Sequence, residues 1–331
     1  MNMTAKVRYG VLSTARIARN QHIRAAKTSA NAEIAAISSR DKGTATQYAQ
    51  ELEIPKAYGS YQEVLDDPDI DAVINPLPNS MHCEWTVRAA KAGKHILCEK
   101  PFAVTVAEAQ QMIDAARANG VLLMEGFTQR FLPQARYVRD LVDSGKIGTI
   151  RSVRAELVYT LPDWDTDSRA KPALAGGCLY DAGCYCVNTL RWAMGTEPIR
   201  VQAFQRIKEG YNVDATFAGL LEFPGGRLGY MLTGMEEPFR GCCEVIGSEG
   251  RIEMPDLFGG SRVRSIAGGE EHVETFEAAD RFKLQIEHFS DCILNGKQPL
   301  LTLDDAKGNT VALVALKRAA IEGGTVAVAY P

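Results

Sequence analysis

The chain lacks the features that would tie it to a membrane or a nucleic acid. Its longest apolar runs are strand-sized, far short of the ~20 residues a transmembrane helix needs. The stretch from Met1 to Lys6 holds no hydrophobic signal core, so the expected location is cytoplasmic. A formal net charge of −4 gives no electrostatic case for nucleic acid or an anionic lipid surface. Metal chemistry has no ligand pattern to rest on. The eight cysteines (83, 98, 178, 184, 186, 242, 243 and 292) include no C-x-x-C pair, and the five histidines show no zinc-type spacing with them. Reduced, mostly buried thiols are expected, Cys184 and Cys186 included. Internal repeats and low-complexity tracts are also missing.

What is present suits an ordinary globular protein. The 331 residues, 46% apolar and 24% charged, are enough for two domains at ~150 residues each. Up to Met124 the chain alternates short apolar runs with helical patterns. Runs at Val7–Leu12, Glu33–Ile37, Asp71–Ile74, His95–Cys98 and Val121–Met124 read as strands. Ile17–Lys27, Thr44–Leu52, Tyr61–Leu65, Ser80–Ala92 and Thr105–Asn119 read as helices, the last with a Thr105/Glu108 capping box and Gly120 just beyond. This alternation predicts an α/β fold, a doubly wound parallel Rossmann sheet over residues 1–124. Residues 125–331 change rhythm. Helices at Leu132–Ser144, Leu179–Met194, Arg281–Asn295 and Asp304–Glu322 frame several strands, with Pro224-Gly225-Gly226 as a hairpin turn. An α+β domain with a large, mostly antiparallel open sheet is predicted there. One face of that sheet needs cover, which predicts a homodimer or homotetramer through it.

The first strand feeds Ser13-Thr14-Ala15-Arg16-Ile17-Ala18. A dinucleotide fold places small residues in this turn so that backbone N–H groups reach the pyrophosphate. The usual G-x-G-x-x-G is reduced here to Ser13, Ala15 and Ala18, all still small; an ordinary tight turn onto a helix is the alternative. The second strand ends in Ser39-Arg40, where an NAD site usually carries an acid for the ribose 2′-OH. A hydroxyl and a guanidinium suit a 2′-phosphate, so NADP is favoured over NAD, although Asp41 follows directly. After the third strand, Leu77-Pro78-Asn79 could run under the nicotinamide and ribose, with His82 on the cofactor side at most.

The strand His95–Cys98 leads into Glu99-Lys100-Pro101, which puts a lysine at the carboxyl end of a parallel strand, where ligands of open α/β sheets bind. Further on, Tyr185 follows Asp181 by four residues, so on a helix the two face the same way. Removal of hydride from an alcohol needs a base for the hydroxyl proton. A tyrosine can serve if a cation such as Lys100 stabilises its phenolate. Tyr159 and Trp164 could stack on a substrate ring, or simply pack.

In the order and spacing of these stretches the chain resembles the Gfo/Idh/MocA oxidoreductases, most of all their NADP-linked D-xylose dehydrogenase and dimeric dihydrodiol dehydrogenase branch. The residues that carry the resemblance are 13–18, Leu77-Pro78-Asn79 with His82, Glu99-Lys100-Pro101, Arg130 within Gly126–Arg130, and Gly176–Tyr185. The resemblance implies Lys100, Asp181 and Tyr185 as catalytic residues, Glu99 by the nicotinamide, Arg130 among the cofactor contacts, and a cis Lys100–Pro101 bond. Tyrosine at 185, where the inositol dehydrogenase branch has histidine, sets this chain apart from that branch. The implied activity is hydride transfer between NADP and a CH–OH group of a sugar or related polyol or diol, first of all C1 oxidation of a xylose-type sugar to its lactone. A ketosugar reductase uses the same parts in reverse, and a regulator that senses NADP without turnover is the third reading.

Overall fold

The two sequence rhythms fold into two sheets. The computed structural model describes residues 5–259 and 262–330. The chain divides into two compact units. One runs to Thr128 and includes Asp280–Lys307; the other is Gln129–Ala279 with the stretch from Gly308 onward.

The first unit holds a six-stranded parallel sheet of β1 (Val7–Val11), β2 (Ala32–Ser38), β3 (Lys56–Tyr58), β4 (Ala72–Asn75), β5 (His95–Cys98) and β6 (Leu123–Glu125), in the order β3-β2-β1-β4-β5-β6. Val11, Val73, Ile74, Ile96 and Leu97 are buried, as a sheet covered on both faces requires. The connections carry α1 (Ile23–Thr28), α2 (Lys42–Glu51), α3 (Tyr61–Asp66), α4 (His82–Lys91) and α5 (Val106–Ala118). The capping box of α5 forms: Thr105 Oγ1 accepts the Glu108 N–H, and Glu108 Oε2 accepts the Thr105 N–H, both at 3.1 Å. A Cβ at Gly10 would lie 2.3 Å from Val64 Cγ1, so only glycine lets α3 settle on β1.

Two features of this unit depart from the sequence reading. The edge strand β3 is too short for its three residues to show an alternation. The helix expected over Ile17–Lys27 is not uniform: Ala18–His22 forms a wider, π-type turn before α1.

The second unit contains α6 (Pro133–Asp143), β7 (Ile150–Thr160), α7 (Cys184–Met194), β8 (Arg200–Ile207), β9 (Asp214–Phe223), β10 (Arg227–Gly234), β11 (Glu236–Gly247), β12 (Gly250–Met254), β13 (Arg262–Ala267) and β14 (Glu270–Thr275). After these come α8 (Arg281–Asn295), α9 (Leu303–Glu322) and β15 (Val326–Ala327). The nine-stranded sheet has the order β14-β13-β12-β11-β7-β10-β9-β8-β15. Its pairings are antiparallel except β7 with β10. Gly225 and Gly226, at φ 79° and 72°, close the predicted β9–β10 hairpin. One face buries Val201, Phe217, Leu221 and Met231, and Leu316 of α9 packs into the space left by Gly219. The opposite face leaves Phe204 81% exposed, with Leu220, Leu228 and Tyr230 exposed beside it.

A boundary at residues 124/125 leaves α8 with the second domain; in the structure α8 and the loop to Lys307 belong to the first unit. Tyr9 and Ser290 share a hydrogen bond of 2.9 Å between their hydroxyls, and Asn31 Nδ2 donates to the Glu287 carbonyl at 2.9 Å. Phe282, Ile286 and Phe289 form the buried stripe of α8. An amphipathic stripe announces that a partner exists but not which part of the chain supplies it.

Candidate active site

The carboxyl edge of the parallel sheet gathers most of the expected cofactor residues. Main-chain bonds align its tips: Leu12 N to Ile74 O at 3.1 Å, Glu99 N to Asn75 O at 3.0 Å, and Gly126 N to Cys98 O at 2.7 Å. At the end of β1, Ser13 is buried and its Oγ accepts the Ala15 N–H at 2.9 Å. Thr14, Ala15 and Ile17 are half-buried, and Arg16, where the helix begins, is exposed. At the end of β2, Ser39 is half-buried and Arg40 exposed. Asp41, one residue on, has its carboxylate committed to the N-terminus of α2, where Oδ1 accepts from Thr44 N and Thr44 Oγ1, both at 2.7 Å. Those Thr44 hydrogen bonds hold its pKa below the ordinary value. After β4, Leu77 is buried, and Pro78 and Asn79 are half-buried.

A dinucleotide fits this edge. Small side chains at 13 and 15 keep the turn low, the start of a helix lies next to it, and two exposed arginines supply positive charge. With Asp41 drawn into its helix cap, the tip of β2 presents a hydroxyl and a guanidinium, the donor set for a phosphate.

Two expected cofactor contacts take other roles. His82 is fully buried, with Nδ1 2.8 Å from the Pro101 carbonyl and Nε2 2.8 Å from the Leu77 carbonyl. Burial pushes its pKa down. It is a strut between two loops and offers no free ring nitrogen to a cofactor. Glu99 is also buried, and its carboxylate turns to His22, Nε2 to Oε1 at 2.7 Å. Lys100 is half-buried, and the Lys100–Pro101 bond is cis. His22 went unnoticed in the sequence, because a histidine inside a helical pattern carries no signal of its own.

In the second unit, the run from Gly176 to Arg191 is buried except at two positions, Asp181 and Tyr185. Asp181 lies in a second π-type turn, Leu179–Gly183, and Tyr185 in the first turn of α7. Gly183 permits this packing, since a Cβ there would sit 3.0 Å from Met231 Cε and 3.1 Å from Thr233 Cγ2. Asp214 anchors the start of the turn: Oδ2 accepts the Leu179 N–H at 2.7 Å and the Cys178 thiol at 3.2 Å. Burial pushes the Asp214 carboxyl up. Gly177, at φ 106°, is required beside it, because a Cβ would fall 2.1 Å from Asp214 Oδ1.

Asp181 is held on both oxygens. The Tyr159 hydroxyl donates to Oδ2, and Arg169 Nε lies 3.0 Å from Oδ1. Burial and the adjacent Asp181 charge push the Tyr159 phenol well up, and the same charge raises the Arg169 guanidinium. Arg169 also pairs with Asp167 at 3.2 Å. Tyr159, expected to stack on substrate, therefore has its hydroxyl bound to Asp181. Trp164 packs against Tyr211, ring centroids 5.3 Å apart, with Lys208 5.1 Å from its ring. The Tyr185 ring meets Phe258 edge-on at 5.0 Å. Arg130, expected at the cofactor, lies in this unit, where Nη1 donates to Asn188 Oδ1 at 3.3 Å and the guanidinium stands 5.4 Å from the Trp192 ring. None of the eight cysteines, all of them among the described residues, is in a disulfide, and all but Cys242 are buried. No helix among the described residues is long and apolar enough to cross a membrane.

Comparison with known proteins identifies the family. Residues 7–127 match the model of an oxidoreductase family with an NAD-binding Rossmann fold, and residues 135–253 match the GFO/IDH/MocA C-terminal domain. D-xylose 1-dehydrogenase (NADP(+)) 2 of Haloferax volcanii is 34% identical over 323 residues, covering 96% of this chain and 98% of its own. The trans-1,2-dihydrobenzene-1,2-diol dehydrogenase of Xenopus laevis is 32% identical over 316 residues, covering 91% and 94%. Among solved structures, KijD10, a 3-ketoreductase from Actinomadura kijaniata in complex with NADP and TDP-benzene, superposes with a TM-score of 0.89 at 30% identity, covering 95% of this chain and 98% of its own. Two family domains in the right order, and an identity above 30% along nearly the whole length, make this chain a member of the Gfo/Idh/MocA oxidoreductases.

Proposed function

We propose that the protein is an NADP-dependent oxidoreductase that moves a hydride to or from a CH–OH carbon of a sugar or related polyol or diol, with C1 oxidation of a xylose-type sugar to its lactone as the leading activity. The observation that carries this reading is the pair Asp181 and Tyr185, the two half-buried positions in an otherwise buried run. Relatives similar along nearly the whole chain act on a sugar and a dihydrodiol by name. When bound, the cofactor supplies the hydride acceptor or donor. The chain's residues do the rest. The Tyr185 hydroxyl takes or returns the substrate hydroxyl proton. Lys100 is assigned the cation that makes a phenol near ~10 competent for this near neutrality. Asp181, fixed by Tyr159 and Arg169, orients a substrate hydroxyl. Ser39 and Arg40 select the 2′-phosphate of NADP.

A panel of aldoses, polyols and diols, assayed with NADP at the nicotinamide absorbance band, tests the reading. Turnover of a pentose is the expected result. Binding of NADP with no redox change on any compound would point to a regulator instead. A ketosugar reductase remains the second reading, favoured by the likeness to KijD10.

The same reading includes a homodimer or homotetramer through the exposed sheet face. Phe204, Leu220, Leu228 and Tyr230 form its apolar part. The neighbouring strands add oppositely charged pairs such as Arg154–Glu244 at 3.1 Å and Arg264–Glu253 at 3.0 Å. Such a patch, with paired charges beside it, complements a second copy of itself. Phe204→Arg is expected to shift the sedimenting species to monomer.

A further inference from the structure

The buried pair His22–Glu99 has no part in the reading above. His22 is 1% exposed, and its Nε2 donates to Glu99 Oε1 at 2.7 Å. The other oxygen, Oε2, accepts the main-chain N–H of Lys100 at 3.2 Å. Phe282 of α8 meets the His22 ring edge-on, centroids 5.0 Å apart, and Arg281 lies 5.3 Å from the Phe282 ring. Gly126 closes the pocket on the other side, where a Cβ would come within 3.4 Å of Glu99 Cα and 3.6 Å of its Cδ.

A carboxylate this buried is costly unless donors satisfy it. Burial pushes the Glu99 carboxyl up, but the His22 hydrogen bond, then the charges of His22, Lys100 and His82, outweigh it and hold the pKa below the ordinary value. The titratable groups of the packed elements are thus His22 from the π-type turn, Lys100 from the same loop, His82 from α4 and Glu125 from β6. Glu125 is itself occupied, with Oε1 accepting the Phe102 N–H at 2.7 Å. The π-type turn is what aims His22. One residue more or fewer in a helix rotates a side chain by about 100°, and such turns recur at functional sites.

We propose that His22 is a positioning residue for Lys100: by donating to Glu99 it fixes that carboxylate against the Lys100 main chain, and with it the loop that carries the lysine. This rests on the assignment of Lys100 to the reaction. Removing the donor leaves one oxygen of a buried carboxylate without its partner; protonation or movement of Glu99 relieves that cost, and either one changes the surroundings of Lys100.

The test is the titration of Lys100 itself, read as the pH dependence of its acylation by trace acetic anhydride, site by site, by peptide mass spectrometry on the full chain. His22→Phe keeps a ring against Phe282 and lacks the donor. The Lys100 midpoint is expected to fall by about one pH unit. Glu99→Gln is expected to give the same fall, and His22→Gln, whose amide can donate to the same oxygen, to restore most of the wild-type value. With a turned-over sugar, His22→Phe should also lower kcat about ten-fold with little change in KM. A wild-type midpoint in folded His22→Phe, or in folded Glu99→Gln, overturns the proposal. Should His22→Phe fail to fold, Glu99→Gln decides. A shifted midpoint in a protein that oxidises no sugar would instead count against the assigned reaction, leaving the His22–Glu99–Lys100 linkage standing.

Discussion

The two π-type turns make an instructive pair. In the first unit, Ala18–His22 places a supporting residue, and the charged groups it serves, Glu99 and Lys100, come from the end of a strand far along the chain. In the second unit, Leu179–Gly183 carries the functional candidate itself, Asp181, and the supports arrive from elsewhere: Tyr159 from β7 and Arg169 from a loop. Both turns interrupt a helix that the sequence pattern draws as continuous. The difference is in which partner the turn aims. In the first unit the turn aims a brace at a strand tip, whereas in the second it carries the side chain that is braced.

The largest expected effect tests the second unit, at the helix that follows its π-type turn. Tyr185→Phe should lower kcat by about 10² to 10⁴ while NADPH still binds, as expected for loss of a general acid–base group. If Lys100→Ala adds little to that loss, the two residues act as one unit; simple additivity in steady-state kinetics would separate them. Next, on the first unit, Arg40→Ala should weaken NADPH about 10- to 100-fold and NADH hardly at all, since charge-assisted bonds to a phosphate are lost. Equal losses in fluorescence titrations would remove the 2′-phosphate assignment. Tyr159→Phe should cost about ten-fold in kcat by freeing one oxygen of Asp181. An unchanged rate with lowered thermal stability would make the Asp181 clamp merely structural.

The smallest effect concerns stability of the first unit alone. Burial works against the Asp67 charge, but Lys56 at 2.9 Å, the Asp69 N–H and the Tyr58 hydroxyl outweigh it and lower the pKa from 3.8 to about 2. A depressed carboxyl stabilises the fold above its unfolded pKa and ceases to do so as pH falls through the folded one. The melting temperature of wild type should exceed that of Asp67→Asn above about pH 4, with the gap closing toward pH 2. A gap independent of pH would assign the effect to packing.

Much of the fold was legible because it is written locally. Thr105, Glu108 and Gly120 bound α5 by capping chemistry that needs only neighbours in sequence. Pro224-Gly225-Gly226 fixes a hairpin for the same reason. The edge strand β3 was not legible, since its three residues form a strand only because β2 offers a free edge. The candidate site was legible where a residue type stands at a strand tip or one helical turn from a partner, as with Lys100, Asp181 and Tyr185. Its supports were not. Nothing near His22 speaks of Glu99, 77 positions later, and nothing near Gly177 speaks of Asp214. Nor does anything near His82 speak of the Pro101 carbonyl, 19 positions later, that its Nδ1 meets at 2.8 Å.

The sequence by itself determined the alternation that makes a parallel sheet, the strand tips at which Ser39, Arg40 and Lys100 stand, and the helix that carries Tyr185. Those depend on period, caps and turns, all local interactions. Only the tertiary structure decided that α8 belongs to the first unit, that Asp41 is spent on a helix cap, that Asp181 is clamped on both oxygens, and that Glu99 faces inward to His22. Each of these depends on which distant group meets a side chain once water has been excluded, and burial makes such meetings costly to leave unsatisfied.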